Sequence, residues 1–191
     1  MSGLVFIRHA ETDLAGTFCG HTDPPLNAQG KMQVADLIRR LASEAIEEIW
    51  SSDLRRAEET AILLAQAFAV PCNTTSNLRE IKFGAWEGMT WAEIEKRDAD
   101  FAHRWTQSFP DLTAPGAEPF AAFEYRVLQE IKRLARRAEH KRIAVVTHGG
   151  VMRVVLREFL GRSEEEAWEI TKPHCSSFLY EGISTFGGVR H

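Results

Sequence analysis

Two histidines in this chain stand where chemistry is usually done. His9 comes with Arg8 directly after the apolar run Leu4-Val5-Phe6-Ile7, and His148 follows Ile143-Ala144-Val145-Val146-Thr147 and precedes Gly149-Gly150. Each run is continuous rather than alternating, the pattern of a strand buried on both faces. Each histidine therefore marks the carboxyl end of a strand, the edge at which open α/β sheets bind ligands. If the two strands are neighbours, two imidazoles and a guanidinium converge on one spot. The glycines permit close backbone approach, and the helix that follows offers a positive dipole end suited to an anion. One histidine at a strand end is an ordinary polar residue. Two, beside an arginine and a Gly-Gly pair, point to a phosphate site.

Two further pieces carry charge. Arg55 and Arg56 fall in the first turn of a predicted helix, where the macrodipole disfavours cations. Such a pair is either a solvated helix end or a functional group. Glu80, in Leu78-Arg79-Glu80-Ile81, reads as a surface residue when taken alone. Together with the histidines, these residues meet the needs of phosphoryl transfer: positive groups around the equatorial oxygens, an in-line nucleophile, and an acid for the leaving group. A neutral imidazole attacks without first losing a proton. No metal or other cofactor is then expected, and the sequence has no HExxH, paired-cysteine or acidic calcium-loop pattern.

The elements that must hold these groups alternate between strand and helix. Asn27 caps a helix to about residue 42, with Met32, Ala35, Ile38 and Leu41 on its apolar face, and residues 46–50 form a second strand. Ser52 caps the next helix, whose buried side carries Leu54, Ala57, Ala61, Leu64 and Phe68. Pro71 ends it, and a short polar strand follows through Thr75. Phe120, Phe123, Val127, Ile131 and Leu134 mark a long amphipathic helix. Gly149-Gly150 opens another helix, stopped by Gly161, and Ser163 with Glu166 forms a capping box. Residues 177–180 and 185–189 read as a terminal hairpin. The alternation predicts an α/β fold of three layers, a mostly parallel central sheet flanked by helices. Residues 1–191 read as one domain, with a cap-like insertion at about 82–118 over one end of the sheet. Its Trp86, Trp91 and Trp105 read as core, with the lining of an aromatic pocket as the alternative.

Composition narrows the partners. The 191 residues carry a net charge of −4, so there is no overall basic field to attract nucleic acid or an anionic membrane. An anionic ligand must be held by a local positive cluster. The longest apolar runs fall far short of the roughly 18 residues a membrane span needs. No basic stretch precedes a long apolar one at the start, so no secretory signal is expected. Cys19, Cys72 and Cys175 are odd in number and widely spaced, which fits a reducing cytoplasm rather than a disulfide framework.

On these residues the chain resembles the histidine phosphatase superfamily, also called phosphoglycerate mutase-like. The resemblance runs in order from Leu4 to about Tyr180. It takes in Arg8-His9-Ala10-Glu11-Thr12, Gly20-His21-Thr22-Asp23 with Pro25-Leu26 and Gly30, and Ser52-Asp53-Leu54-Arg55-Arg56-Ala57 with Thr60-Ala61. Leu78-Arg79-Glu80-Ile81 with Phe83-Gly84 and Trp86-Glu87-Gly88 follows, and Val146-Thr147-His148-Gly149-Gly150 closes the set. The resemblance implies a phosphoglycerate mutase-like fold, a small-molecule phosphate ester as partner, and neither metal nor cofactor. It implies that His9 is the nucleophile that becomes phosphohistidine, and that Arg8, Arg56 and His148, with Gly149, hold the phosphoryl oxygens. Arg56, not Arg55, takes the family position, directly before Ala57 and two after Leu54. Glu80 falls on the proton donor that later activates water, and Thr12, Cys19, Gly20 and His21 fall at substrate-contacting positions. The family usually has glycine after the nucleophile, where this chain has Ala10. At a positive φ, alanine would cost on the order of 1 kcal/mol. The chain lacks the longer insertions of the glycolytic mutases, which favours a plain phosphatase over a phosphoglycerate mutase. The segments Gly20-His21-Thr22-Asp23, Phe83-Gly84-Ala85-Trp86-Glu87 and Pro115-Gly116-Ala117-Glu118 look most like those of one of the family's small-metabolite phosphatases, with sugar phosphates among the alternative substrates.

Overall fold

Alternating residues of the two buried strands belong to different cores. In a computed structural model, which describes residues 2–181, β1 (Gly3–Arg8) lies parallel to β4 (Arg142–Thr147). Leu4, Phe6, Ile143 and Val145 pack on one face of the sheet against α5 (Phe120–Arg137) and α6 (Gly149–Leu160), through Val127, Ile131, Leu134, Val151 and Val155. Val5, Ile7, Ala144 and Val146 pack on the other face against α1 (Ala28–Leu41) and α2 (Arg55–Phe68), through Val34, Leu37, Ala57, Ala61 and Leu64. Both faces are covered, which is why these strands read as unbroken apolar runs. Each fully buried Leu, Ile or Val contributes about 1.5–3 kcal/mol relative to exposure.

The sheet has the order β3-β2-β4-β1-β5, with β2 (Glu48–Ser52), β3 (Cys72–Thr75) and β5 (Ser177–Tyr180). Only β5 is antiparallel, paired to β1 with Phe178 stacked on Phe6. The fold is therefore a three-layer α/β architecture with a mostly parallel sheet. Residues 83–117, including α3 (Trp91–Arg97) and α4 (Ala99–Ser108), form a separate apolar cluster around Trp86, Ile94, Ala102 and Ala114. Phe18 packs into it with Trp91 and Trp105 at the margin. α7 (Glu164–Thr171) starts at the Ser163–Glu166 capping box. No helix among the described residues is long and apolar enough to cross a membrane.

Several local expectations shift. Asn27 does cap α1, accepting the Gly30 N–H, but the buried face is Gly30, Val34, Leu37 and Leu41. Met32 is 65% exposed. The helix carries two overlapping apolar rows, and the one that meets the sheet begins at Gly30, where a side chain would collide with the Glu11 carbonyl. The second strand starts later than expected and runs through Ser52. Ser52 is thus a strand residue, while the backbone of Leu54 occupies the cap position of α2. Ser177–Tyr180 pairs with β1, and residues 185–189 lie outside the described residues.

Candidate active site

Arg8 sits opposite Thr147 in the β1–β4 register, so His9 and His148 leave the sheet side by side. Their ring centroids are 5.1 Å apart. The His9 backbone N–H donates to the Thr147 carbonyl at 2.9 Å, extending the pairing past the strand end. His9 Nδ1 donates to the Ala10 carbonyl at 2.7 Å, and Arg56 Nε donates to His9 Nε2 at 3.3 Å. Both contacts imply one tautomer, with the hydrogen on Nδ1 and a lone pair on Nε2. Burial, then Arg56 and Arg8, hold the His9 pKa well below 6.5. The ring is uncharged at neutral pH and its Nε2 can act as a nucleophile.

The adjacent arginines of α2 divide between the two readings open to them. Arg55 is exposed and pairs with Glu59. Arg56 is 1% exposed. Its Nη1 and Nη2 donate to the Thr22 and Gly20 carbonyls at 2.8 and 2.7 Å. Gly20 lies at φ +52, and a Cβ there would collide with the Glu87 carboxylate. Glu87 Oε1 accepts the N–H groups of His21 and Phe83, and Oε2 accepts the Thr22 hydroxyl. Glu87 thereby ties the loop that holds Arg56 to residues 83–88. Cys19 donates weakly to the Thr22 carbonyl, and burial raises its thiol pKa. Thr12 is buried, and its hydroxyl accepts the Leu14 N–H at 3.3 Å, shaping the same loop.

Glu80 arrives on an extended segment anchored from several sides. Thr147 Oγ1 donates to the Leu78 carbonyl at 2.8 Å. His21 Nε2 and Arg126 Nη2 each lie 2.9 Å from the Glu80 carbonyl. Arg79 makes a bidentate pair with Asp53. The Glu80 carboxylate accepts the Ile81 N–H at 3.0 Å and the Gly150 N–H at 2.9 Å. The start of α6 was expected to serve a substrate anion, but Gly150 gives its N–H to Glu80. A Cβ on Gly150 would overlap that carboxylate, so the glycine is needed for the close approach.

His148 is fully buried, with Nε2 2.9 Å from Ser52 Oγ. The Ser52 oxygen also accepts the Leu54 N–H. Arg8 Nη1 donates to the Thr171 and Lys172 carbonyls at the end of α7. Arg8 Nε and His148 Nδ1 are buried with no hydrogen-bond partner among the described residues. A buried polar group left unpaired costs about 1–3 kcal/mol, and two such donors next to His9 are chemically able to bind an anion. The structure thus brings Arg8, His9, Arg56, Glu80 and His148 together. Ala10 does not have positive φ. It is fully buried, and its N–H donates to Thr60 Oγ1 at 3.1 Å, so alanine after the histidine causes no backbone strain.

Ser52, Thr60, Glu87 and His174 are site neighbours for which the sequence analysis assigned no site role. The His174 ring centroid is 5.5 Å from that of His9. No spacing signal marks it, because it comes from the loop between α7 and β5.

The buried imidazoles predict a stability profile. Burial, then nearby arginines, hold His9 and His148 well below 6.5, and burial with Arg8 lowers His174 to about 4. The unfolded chain takes up these protons near pH 6.5 while the folded chain does not, so stability falls as pH drops below 6.5. Asp53, held down by Arg79, adds its loss only below about pH 3.8. Urea midpoints at pH 7.5 and 5.0 should therefore differ clearly, the acid value being lower. A profile flat over that interval would mean that the imidazoles are not buried as described.

Comparison with known proteins adds four findings. The family model described as histidine phosphatase superfamily, branch 1, matches residues 4–182. The adenosylcobalamin/alpha-ribazole phosphatase of Escherichia coli is 30% identical over 167 residues, 86% of this chain and 82% of the relative. Phosphoserine phosphatase 1 of Hydrogenobacter thermophilus is 31% identical over 186 residues, 96% and 86% of the two chains. The crystal structure of a putative alpha-ribazole-5′-P phosphatase from Escherichia coli superposes with a TM-score of 0.78 at 28% identity, covering 93% of each chain.

Proposed function

Because the chain belongs to the histidine phosphatase superfamily and is a phosphoric monoester hydrolase, we propose that it works through a phosphohistidine on His9, without a metal ion, on α-ribazole 5′-phosphate in cobalamin nucleotide-loop assembly. The mechanistic part rests on one observation: His9 Nε2 carries a lone pair met by Arg56 Nε at 3.3 Å, and two donors from the adjoining residues, Arg8 Nε and His148 Nδ1, are buried with no partner among the described residues. A phosphoryl group at Nε2 supplies oxygens to both donors, and Arg56 lies against the same nitrogen. The Nε2–P bond forms as the ester P–O bond breaks, and Glu80 gives the leaving oxygen its proton. Glu80 then takes a proton from water, whose oxygen attacks phosphorus and releases inorganic phosphate and neutral His9. Positive groups already surround the phosphoryl oxygens, so the charge stabilisation a divalent ion would bring is supplied by side chains.

The substrate part is supported by the likeness to alpha-ribazole phosphatases. The likeness to a phosphoserine phosphatase favours phosphoserine as a second reading.

The test is phosphate release from α-ribazole 5′-phosphate, phosphoserine and 3-phosphoglycerate with chelator present. α-Ribazole 5′-phosphate should give the highest kcat/KM, chelator should have no effect, and no 2-phosphoglycerate should form. A higher kcat/KM for phosphoserine would reassign the substrate. Activity abolished by chelator and restored by Mg²⁺ or Zn²⁺ would overturn the metal-independent mechanism.

A further inference from the structure

His9 stands between two imidazoles, of which the mechanism above uses only His148. Its strand has β4 on one side and β5 on the other. β4 runs parallel and delivers His148 at its end. β5 runs antiparallel, so the residues leading into it are the ones beside His9. The Arg8 N–H donates to the Ser176 carbonyl at 3.0 Å, and the Cys175 N–H donates to the His9 carbonyl at 3.4 Å. This pairing sets His174 alongside the nucleophile, with ring centroids 5.5 Å apart and planes at 53°. Cys175 holds the left-handed conformation at φ +56. A non-glycine residue adopts it at a cost that persists only where surrounding contacts demand it.

We propose that His174 is a third imidazole of the active site, and that its ring hydrogen-bonds the phosphoryl group bound at His9. The proposal rests on the reading of His9 as the nucleophile. A phosphoryl group reaches roughly 3 Å beyond the nitrogen that carries it, which suffices to bridge rings at this spacing. Arg8 and Glu11 are the charged groups that act on His174. Burial and Arg8 bring its pKa to about 4, so at neutral pH it works as an uncharged donor. It binds the phosphoryl group and does not shuttle protons. The other phosphate-contacting groups come from β1, α2 and the end of β4. His174 would add a contact from the β5 side of the sheet.

The experiment compares wild type, His174→Phe and His174→Asn. It reads the Kd for inorganic phosphate by calorimetry, together with KM, kcat and Tm. Phenylalanine keeps the ring's size without its hydrogen bond, and asparagine restores a donor. His174→Phe should weaken phosphate binding and raise KM about 5- to 10-fold, with kcat changed less than about threefold. His174→Asn should recover most of the loss. Phosphate binding equal to wild type in His174→Phe would overturn the proposal. So would equal losses in both variants accompanied by a fall in Tm, the mark of a packing role. Phosphate affinity does not depend on turnover. A wild type that binds phosphate but forms no phosphohistidine would contradict the role of His9 and leave the His174 comparison readable.

Discussion

His9→Ala should lower kcat by at least about 10⁴-fold, as loss of a covalent nucleophile does in enzymes whose catalytic residues act as a unit. The variant should still fold. His9 lies past the end of β1, outside the apolar clusters on the two faces of the sheet. Arg56 keeps its bonds to the Gly20 and Thr22 carbonyls when the imidazole is gone. Arg8, Arg56 and His148 remain, so inorganic phosphate should still bind, with affinity reduced by no more than about tenfold. Measuring kcat and phosphate Kd on the same preparation separates chemistry from binding. A variant that keeps more than about one hundredth of wild-type kcat would show that another group attacks the phosphorus.

Glu80→Gln should slow hydrolysis of alkyl phosphates by roughly 10²–10⁴-fold. Glutamine keeps the shape and can still accept one of the Ile81 and Gly150 N–H bonds, but it cannot deliver a proton to a departing alkoxide. An ester with a good leaving group, such as p-nitrophenyl phosphate, needs little protonation in the first step. Its phosphoenzyme should form at nearly the wild-type rate and then persist, because water is no longer activated. Rapid mixing of the variant with that ester should give a burst of p-nitrophenol of about one equivalent, followed by slow turnover. Equal slowing of the burst and of alkyl phosphate cleavage would mean that Glu80 is not the leaving-group acid.

How much of this was legible in sequence depends on how local each signal is. The two buried strands were, because continuous apolar runs ending in Arg8-His9 and Thr147-His148 have little other use. Their adjacency was not: it follows from the crossover order β2-β4-β1, which no periodicity reports. Arg56 shared its misplaced charge with Arg55, and only the family motif, with Arg56 directly before Ala57, separated the two in sequence; the fold agrees, burying Arg56 and leaving Arg55 paired with Glu59 in solvent. The face of α1 was misread because Met32 and Ile38 make as regular a row as Val34 and Leu37. Ser52 matched a cap residue by type. Its partner His148 lies 96 residues away. The role of Gly150 was read as service to a ligand, whereas the close approach it allows is that of Glu80. His174 sits in an irregular loop, with no motif around it, and reaches His9 only through long-range pairing of β5 with β1.

The central claim is a covalent bond between phosphorus and His9 Nε2. Wild-type protein mixed with ³²P-labelled substrate and quenched in alkali should carry label that survives base and is lost in acid, the behaviour of a phosphoramidate. Peptide mapping should place it on His9, and His9→Ala should take up none. Label that resists acid, or that maps to a serine, a threonine or an aspartate, would contradict the account.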